Sequence, residues 1–185
     1  MIEDVLSSSE HRMESAVEHL REELTSIRTG RASPALVDKL SVIYYDTPTP
    51  LNQLASISVP EPRQLLIKPF DASVLREIER AILTSDLGLT PNNDGKIIRL
   101  FLPVLTEERR KELIKLVQKR VEDSRVAVRN VRRDSIQDLR ELEKEKLISE
   151  DDLTRGEKDV QTLTDRYVER ANEVGKQKEE EILTI

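Results

Sequence analysis

The sequence predicts an α+β protein: a long antiparallel three-helix bundle with a small β/α/β domain inserted into it. Three observations predict this. All 8 prolines lie between Pro34 and Pro103, so both flanks lack the residue that breaks helices. The flanks carry apolar residues at alternating spacings of 3 and 4, the rhythm of helices that interlock at a shallow angle. The prolines are accompanied by Tyr44, Tyr45, Phe70 and Phe101, while the fifth aromatic, Tyr167, stands in the second flank. Residues 1–29 and 106–185 are therefore assigned to a discontinuous bundle and residues 30–105 to the inserted domain.

The first flank places Met13, Val17, Leu20, Leu24 and Ile27 on one stripe. The second repeats the rhythm through Ile114, Val117, Val121, Ser124, Val128, Val131, Ser135, Leu139 and Leu142. The third runs through Leu153, Gly156, Val160, Leu163, Tyr167 and Val174. Thr106 before Glu107 and Glu108 is a hydroxyl cap with acids at the positive helix end. Ser149 before Glu150, Asp151 and Asp152 is a second such start, and Gly30 stops the first helix. Helices are expected at about 2–28, 107–146 and 150–183, the second roughly 60 Å long at 1.5 Å per residue. Each is apolar on one narrow face, so the three must pack together.

In the insert, Val42–Tyr45 is β-branched and aromatic, and residues 54–59 alternate apolar and small. Leu65–Ile67 and Ile97–Leu102 are two further strands. Asp71 caps a helix bearing Val74, Ile78 and Ile82, ending near Gly88. Residues 91–95, Pro-Asn-Asn-Asp-Gly, read as a turn. The chain enters the insert at Thr29, Gly30 and Arg31 and leaves at Pro103, Val104 and Leu105. Two adjacent connections suit a hinge, near 29–31 and 103–106; a rigid packed corner is the alternative.

The chain holds no cysteine, which excludes disulfides and thiolate sites and fits a reducing, cytoplasmic setting. His11 and His19 are too few for a multi-histidine metal site. No apolar run is long enough to span a membrane, and the acidic N-terminus has no signal-peptide core. Residues 88–97 superficially resemble a phosphate loop. However, six residues separate Gly88 from Gly95, Ile97 replaces the metal-binding hydroxyl and Pro91 lacks an amide donor. Glu179, Glu180 and Glu181 are consecutive on a helix, point different ways and suit a solvated face. No catalytic, cofactor or metal constellation emerges.

The net charge of −6 conceals a strong asymmetry. Residues 106–133 hold 10 basic and 5 acidic side chains, whereas residues 134–185 hold 9 and 16. Within the basic stretch Arg125, Arg129 and Arg132 recur at spacings of 4 and 3, beside the apolar seam, with Arg133 next to them. Arg28 and Arg31 bracket the end of the first helix. Guanidinium forks suit phosphate, and no aromatic interleaves them, so backbone and shape recognition of folded nucleic acid is expected. The alternative is a row of salt bridges to Glu14, Glu18, Glu22 or Asp159 on the neighbouring helices. A protein-binding coiled-coil scaffold is the rival function; an RNA-acting enzyme lacks free acid or base groups near this edge.

Several blocks are similar to one known family. Residues 28–34 (Arg-Thr-Gly-Arg-Ala-Ser-Pro), Tyr44-Tyr45 leading to Thr49-Pro50-Leu51, and residues 85–89 (Ser-Asp-Leu-Gly-Leu) resemble the bacterial ribosome recycling factor. So do residues 105–113, residues 126–134 (Val-Ala-Val-Arg-Asn-Val-Arg-Arg-Asp) and residues 148–152. Asp46 departs from the pattern, standing where the family usually has glycine. The resemblance implies an L-shaped, monomeric translation factor without cofactor or enzyme activity. It would bind large-subunit ribosomal RNA after termination and, with elongation factor G and GTP, split the ribosome into subunits. It also implies RNA contacts from Arg28, Arg31, Arg129, Arg132 and Arg133, with Arg132 foremost; Arg125 is added from its spacing.

Overall fold

A computed structural model describes residues 1–184 of the chain. Ile185, the last residue of the expected bundle, lies outside the described residues. The chain divides into two compact units, Met1–Arg28 with Thr106–Thr184, and Thr29–Leu105.

The larger unit consists of α1 (Ile2–Thr25) and two helices that follow the insert, here called α4 (Glu107–Lys144) and α5 (Glu150–Leu183). Cross-helix partners fix their directions. Arg12 pairs with Asp134 and Arg120 with Glu23, so α1 and α4 are antiparallel. Arg125 meets Asn172 and Arg140 meets Glu157, so α4 and α5 are antiparallel as well. The seam is closed to the surface: Met13, Val17, Val117, Val128, Leu139, Val160 and Ile182 are all buried. Each such side chain contributes about 1.5–3 kcal/mol through removal from water. Leu113, not Ile114, joins the α4 seam, and Ser9 extends that of α1. Polar seam residues find partners: Ser9 and Ser135 share a 2.5 Å hydrogen bond, and Ser124 Oγ donates to the backbone carbonyl of Ala16 at 3.2 Å.

Helix ends follow their caps. Thr106 Oγ1 accepts from the Arg109 amide at 3.1 Å. Ser149 and Asp152 form a reciprocal capping box at the start of α5. The helix α1 stops earlier than expected. The hydroxyls of Thr25 and Ser26 donate to the carbonyls of Arg21 and Glu23, and the helix is over before Gly30. Gly30 serves a different purpose. Its φ is 76°, and a Cβ there would lie 3.3 Å from Leu105 Cγ and 3.4 Å from Pro103 O.

The smaller unit contains a hairpin of β1 (Ser41–Tyr44) and β2 (Thr47–Pro50), a short helix α2 (Leu51–Leu54), and strands β3 (Ala55–Glu61) and β4 (Gln64–Pro69). Helix α3 (Leu75–Thr84) then leads to β5 (Pro91–Asn93) and β6 (Ile98–Phe101). The antiparallel sheet order is β3-β4-β6-β5. Leu65, Ile67, Ile98 and Leu100 of the sheet share one core with Ile78 and Ile82 of α3 and Val42 of β1. The unit is therefore layered hairpin, helix, sheet. Asp71 caps a single 3-10 turn, Ala72–Val74, ahead of α3, and Ser85 closes α3 by donating to Ile82 O at 2.6 Å.

One expectation for this unit needs correcting. Residues 91–95 are not simply a turn, because Pro91–Asn93 pairs with β6 as an edge strand and only the residues after it turn. Strand β2 was not foreseen because its Thr-Pro-Thr-Pro sequence hides it; proline is tolerated in this two-stranded ribbon. Tyr45 and Asp46, at φ 47° and 62°, make the left-handed two-residue turn between β1 and β2. Aspartate accepts this conformation better than most residues.

Candidate nucleic-acid interface

Helix α4 places its arginines by simple geometry. At 3.6 residues per turn, Arg125, Arg129 and Arg132 fall within about 60° of arc, and Arg133 lies about 40° further out. The buried seam occupies the adjacent arc, so the row follows the edge of α4 that faces α5. Arg125 and Arg132 are half-buried in the groove between the helices, and Arg129 and Arg133 are exposed.

Their partners are few. Arg125 Nη2 meets Glu122 Oε2 at 2.7 Å, and its Nη1 donates to Asn172 Oδ1 on α5 at 2.9 Å. Arg129 Nη1 reaches the other oxygen of the same carboxylate at 3.3 Å. The Arg125 hydrogen bond is the main reason the Glu122 carboxyl titrates below its ordinary range. Arg132 Nη1 donates to Gln161 Oε1 at 3.2 Å, a neutral partner. Arg133 has no ion pair among the described residues. Asp134, the next acid along, is turned to the other side of α4 by Arg12 at 2.7 Å.

The expected alternative, a ladder of salt bridges to Glu14, Glu18, Glu22 or Asp159, does not form from this row. Glu18 pairs instead with Arg21 on its own helix at 3.1 Å. One carboxylate, Glu122, thus serves two of the four guanidinium groups, and positive charge remains along the edge. Arg132 and Arg133 also line a surface depression of about 380 Å³ with Ile136, Gln137 and Arg140. No carboxylate lines it. Arg140 itself is paired to Glu157 at 2.9 Å. Such a concave, donor-rich surface is suited to phosphate oxygens.

Arg28 and Arg31 lie elsewhere. Arg28 follows α1 in the larger unit and is exposed. Extending the α1–α4 pairing sets it level with about residue 115, roughly 20 Å along the axis from Arg129. Arg31 is exposed in the smaller unit. There the two chain passes lie side by side: Ala32 N donates to Pro62 O at 2.7 Å, and Leu102 N donates to Arg63 O at 2.8 Å. Thr29 is buried, and Gly30 packs against Pro103 and Leu105. Val104 is exposed.

Sequence reasoning missed the α5 side of the groove, where Gln161 and Asn172 orient the arginines. The signal was present. A turn centred near residue 147 pairs positions whose numbers sum to about 295, which places Asn172 beside Arg125. Elsewhere, no group of three or more His, Cys, Asp or Glu side chains that could hold a metal exists among the described residues. No helix among them is long and apolar enough to cross a membrane.

Comparison with known proteins agrees with the resemblance read from the sequence. The model of the family described as "Ribosome recycling factor" matches residues 20–183. The chain is 54% identical to the ribosome-recycling factor of Syntrophomonas wolfei and 56% identical to that of Roseiflexus castenholzii, in each case over 185 residues and the full length of both chains. A solution structure of a ribosome recycling factor superposes with a TM-score of 0.76 at 43% identity, covering 100% of this chain and 98% of that one. A second structure, the T. thermophilus factor described together with E. coli elongation factor G on the E. coli post-termination complex, gives a TM-score of 0.64 at 41% identity over 99% of both chains. With its whole length matched in sequence and in fold, the chain belongs to the ribosome recycling factor family.

Proposed function

We propose that the chain is a cytoplasmic translation factor that binds the post-termination ribosome and, with elongation factor G and GTP, splits it into subunits. The observation that carries the reading is the under-neutralised arginine row of α4. Arg125, Arg129, Arg132 and Arg133 hold phosphates of large-subunit ribosomal RNA, with Arg28 and Arg31 as outlying contacts. No aromatic interleaves the row, so recognition is of backbone and shape. Family membership, and the solved relative described with elongation factor G, support the choice of partners.

The factor acts as a monomer and carries no active site; the energy comes from the GTPase. The bundle is the anchored lever, stiff along a 38-residue helix. The passes at Thr29, Gly30, Arg31, Pro103, Val104 and Leu105 form the hinge about which the smaller unit turns when the GTPase pushes it.

Binding to isolated large subunits tests the anchor. Each phosphate contact adds to the salt dependence, so affinity falls steeply between low and high salt. Arg132→Ala removes a charge-assisted contact worth about 1.5–3 kcal/mol, roughly a ten- to hundredfold loss. Affinity that ignores both salt and Arg132→Ala would contradict the assignment.

A further inference from the structure

The four-stranded sheet of the smaller unit has one covered face and one open face. Leu65, Ile67, Ile98 and Leu100 point into the core and are 0% exposed. The alternate residues form the open face. Ser58, Leu66, Arg99 and Asn92 make one row across the four strands. Ser56 and Lys68 stand on one side of that row, and Gln64 and Phe101 on the other. Phe101 is 56% exposed although it lies on a central strand, and Phe70, directly after β4, is 72% exposed. Two carboxylates border the face: Glu61 at the β3 edge opposite Gln64, and Asp94, held 3.7 Å from Arg99.

We propose that this open face is a platform for single-stranded RNA. Phe101 and Phe70 stack unpaired bases, while Lys68 and Arg99 take phosphates between them. Every base has a π face, so such stacking is tolerant of sequence, and only an unpaired base can reach an aromatic ring on a sheet. Serine and asparagine on the outer strands are small and polar, which lets a sugar-phosphate chain lie close. A protein partner fits less well. Phe101 is opposite Gln64, and Phe70 comes six residues after Gln64, so the two rings are about 20 Å apart at 3.3 Å per residue. A protein interface needs a contiguous apolar core, and between these rings the face carries Leu66 alone among Ser58, Lys68 and Arg99. The platform is independent of the arginine row on α4.

The test is fluorescence anisotropy of a labelled ten-residue oligouridylate with the full chain at low salt. Phe101→Ala weakens binding roughly five- to hundredfold, and Phe101→Tyr retains it. Lys68→Ser lowers the slope of log affinity against log salt by about 0.7. Arg132→Ala, which removes one guanidinium from the bundle, lowers this binding less than Phe101→Ala does. Both positions on the sheet are exposed, and circular dichroism checks that the variants fold. The proposal is overturned if the oligonucleotide does not bind. It is also overturned if binding falls with Arg132→Ala but not with Phe101→Ala, which would place the strand on the bundle. Sheet-face variants that lose affinity for elongation factor G and not for RNA would likewise overturn it.

Discussion

Arg132 of α4 donates to Gln161 of α5 at 3.2 Å, so the arginine is oriented across the groove without being neutralised. Gln161 Nε2 in turn donates to Asp165 Oδ1 at 2.8 Å, which fixes the amide. Gln161→Glu keeps the side-chain length and adds a charge directly against the guanidinium, while the hydrogen bond to Asp165 is lost. We expect this variant to melt within about 2 °C of the parent, because exposed ion pairs contribute little to stability. Its affinity for the large subunit should nevertheless fall nearly as far as with Arg132→Ala. Filter binding at fixed salt checks this.

Glu122 offers the converse experiment. It occupies two guanidinium groups, and its depressed pKa comes chiefly from Arg125. Glu122→Gln releases charge on Arg125 and Arg129 and should strengthen large-subunit binding at low salt. The gain should shrink toward zero as salt is raised past the physiological range, because exposed charges are then screened.

Two glycines of α5 should respond differently to alanine. A Cβ at Gly175 would overlap Val121 Cγ2, and valine is short and stiff, so the helices must part. Gly175→Ala should cost about 1–3 kcal/mol, lowering Tm by several degrees. At Gly156 the nearest atom would be Leu139 Cδ1 at 3.0 Å, the far end of a flexible side chain. There the gain in helix propensity, about 0.5–1 kcal/mol, offsets much of the crowding. Gly156→Ala should lie near the parent in thermal melts.

The start of α5 sets part of the acid response. Hydrogen bonds from the Ser149 hydroxyl and amide hold the Asp152 carboxyl below its ordinary range. Because the folded value is the lower one, Asp152 favours the fold above the unfolded pKa, about 4. That contribution disappears as pH falls through the folded value. Tm should therefore be flat from pH 7 to 5 and decline below about pH 4. Ser149→Ala should cost about 1 kcal/mol at neutral pH and flatten that decline.

Much of this molecule was legible in the sequence, for identifiable reasons. Proline confined to 34–103 and seams such as Val117-Val121-Ser124-Val128 fix long helices, because period and breakers act locally. Thr106 and Ser149 mark helix starts for the same reason. The end of α1 was missed because Thr25 and Ser26 compete for backbone carbonyls, a local effect that the more conspicuous Gly30 obscured. Strand β2 was missed because Pro48 and Pro50 argue against a strand unless the partner is known. The arginines were legible as a row, but whether acids on neighbouring helices would quench them depended on cross-helix register. That register makes Gln161 and Asn172 their neighbours.

The most direct measurement of the central claim is subunit splitting of post-termination ribosomes, followed by light scattering with elongation factor G and GTP. The parent chain should lower the scattering, while Arg132→Ala, folded by circular dichroism, should fail or slow markedly. Equal splitting by both would show that the arginine row is not the anchor. No splitting by the parent would contradict the recycling function itself.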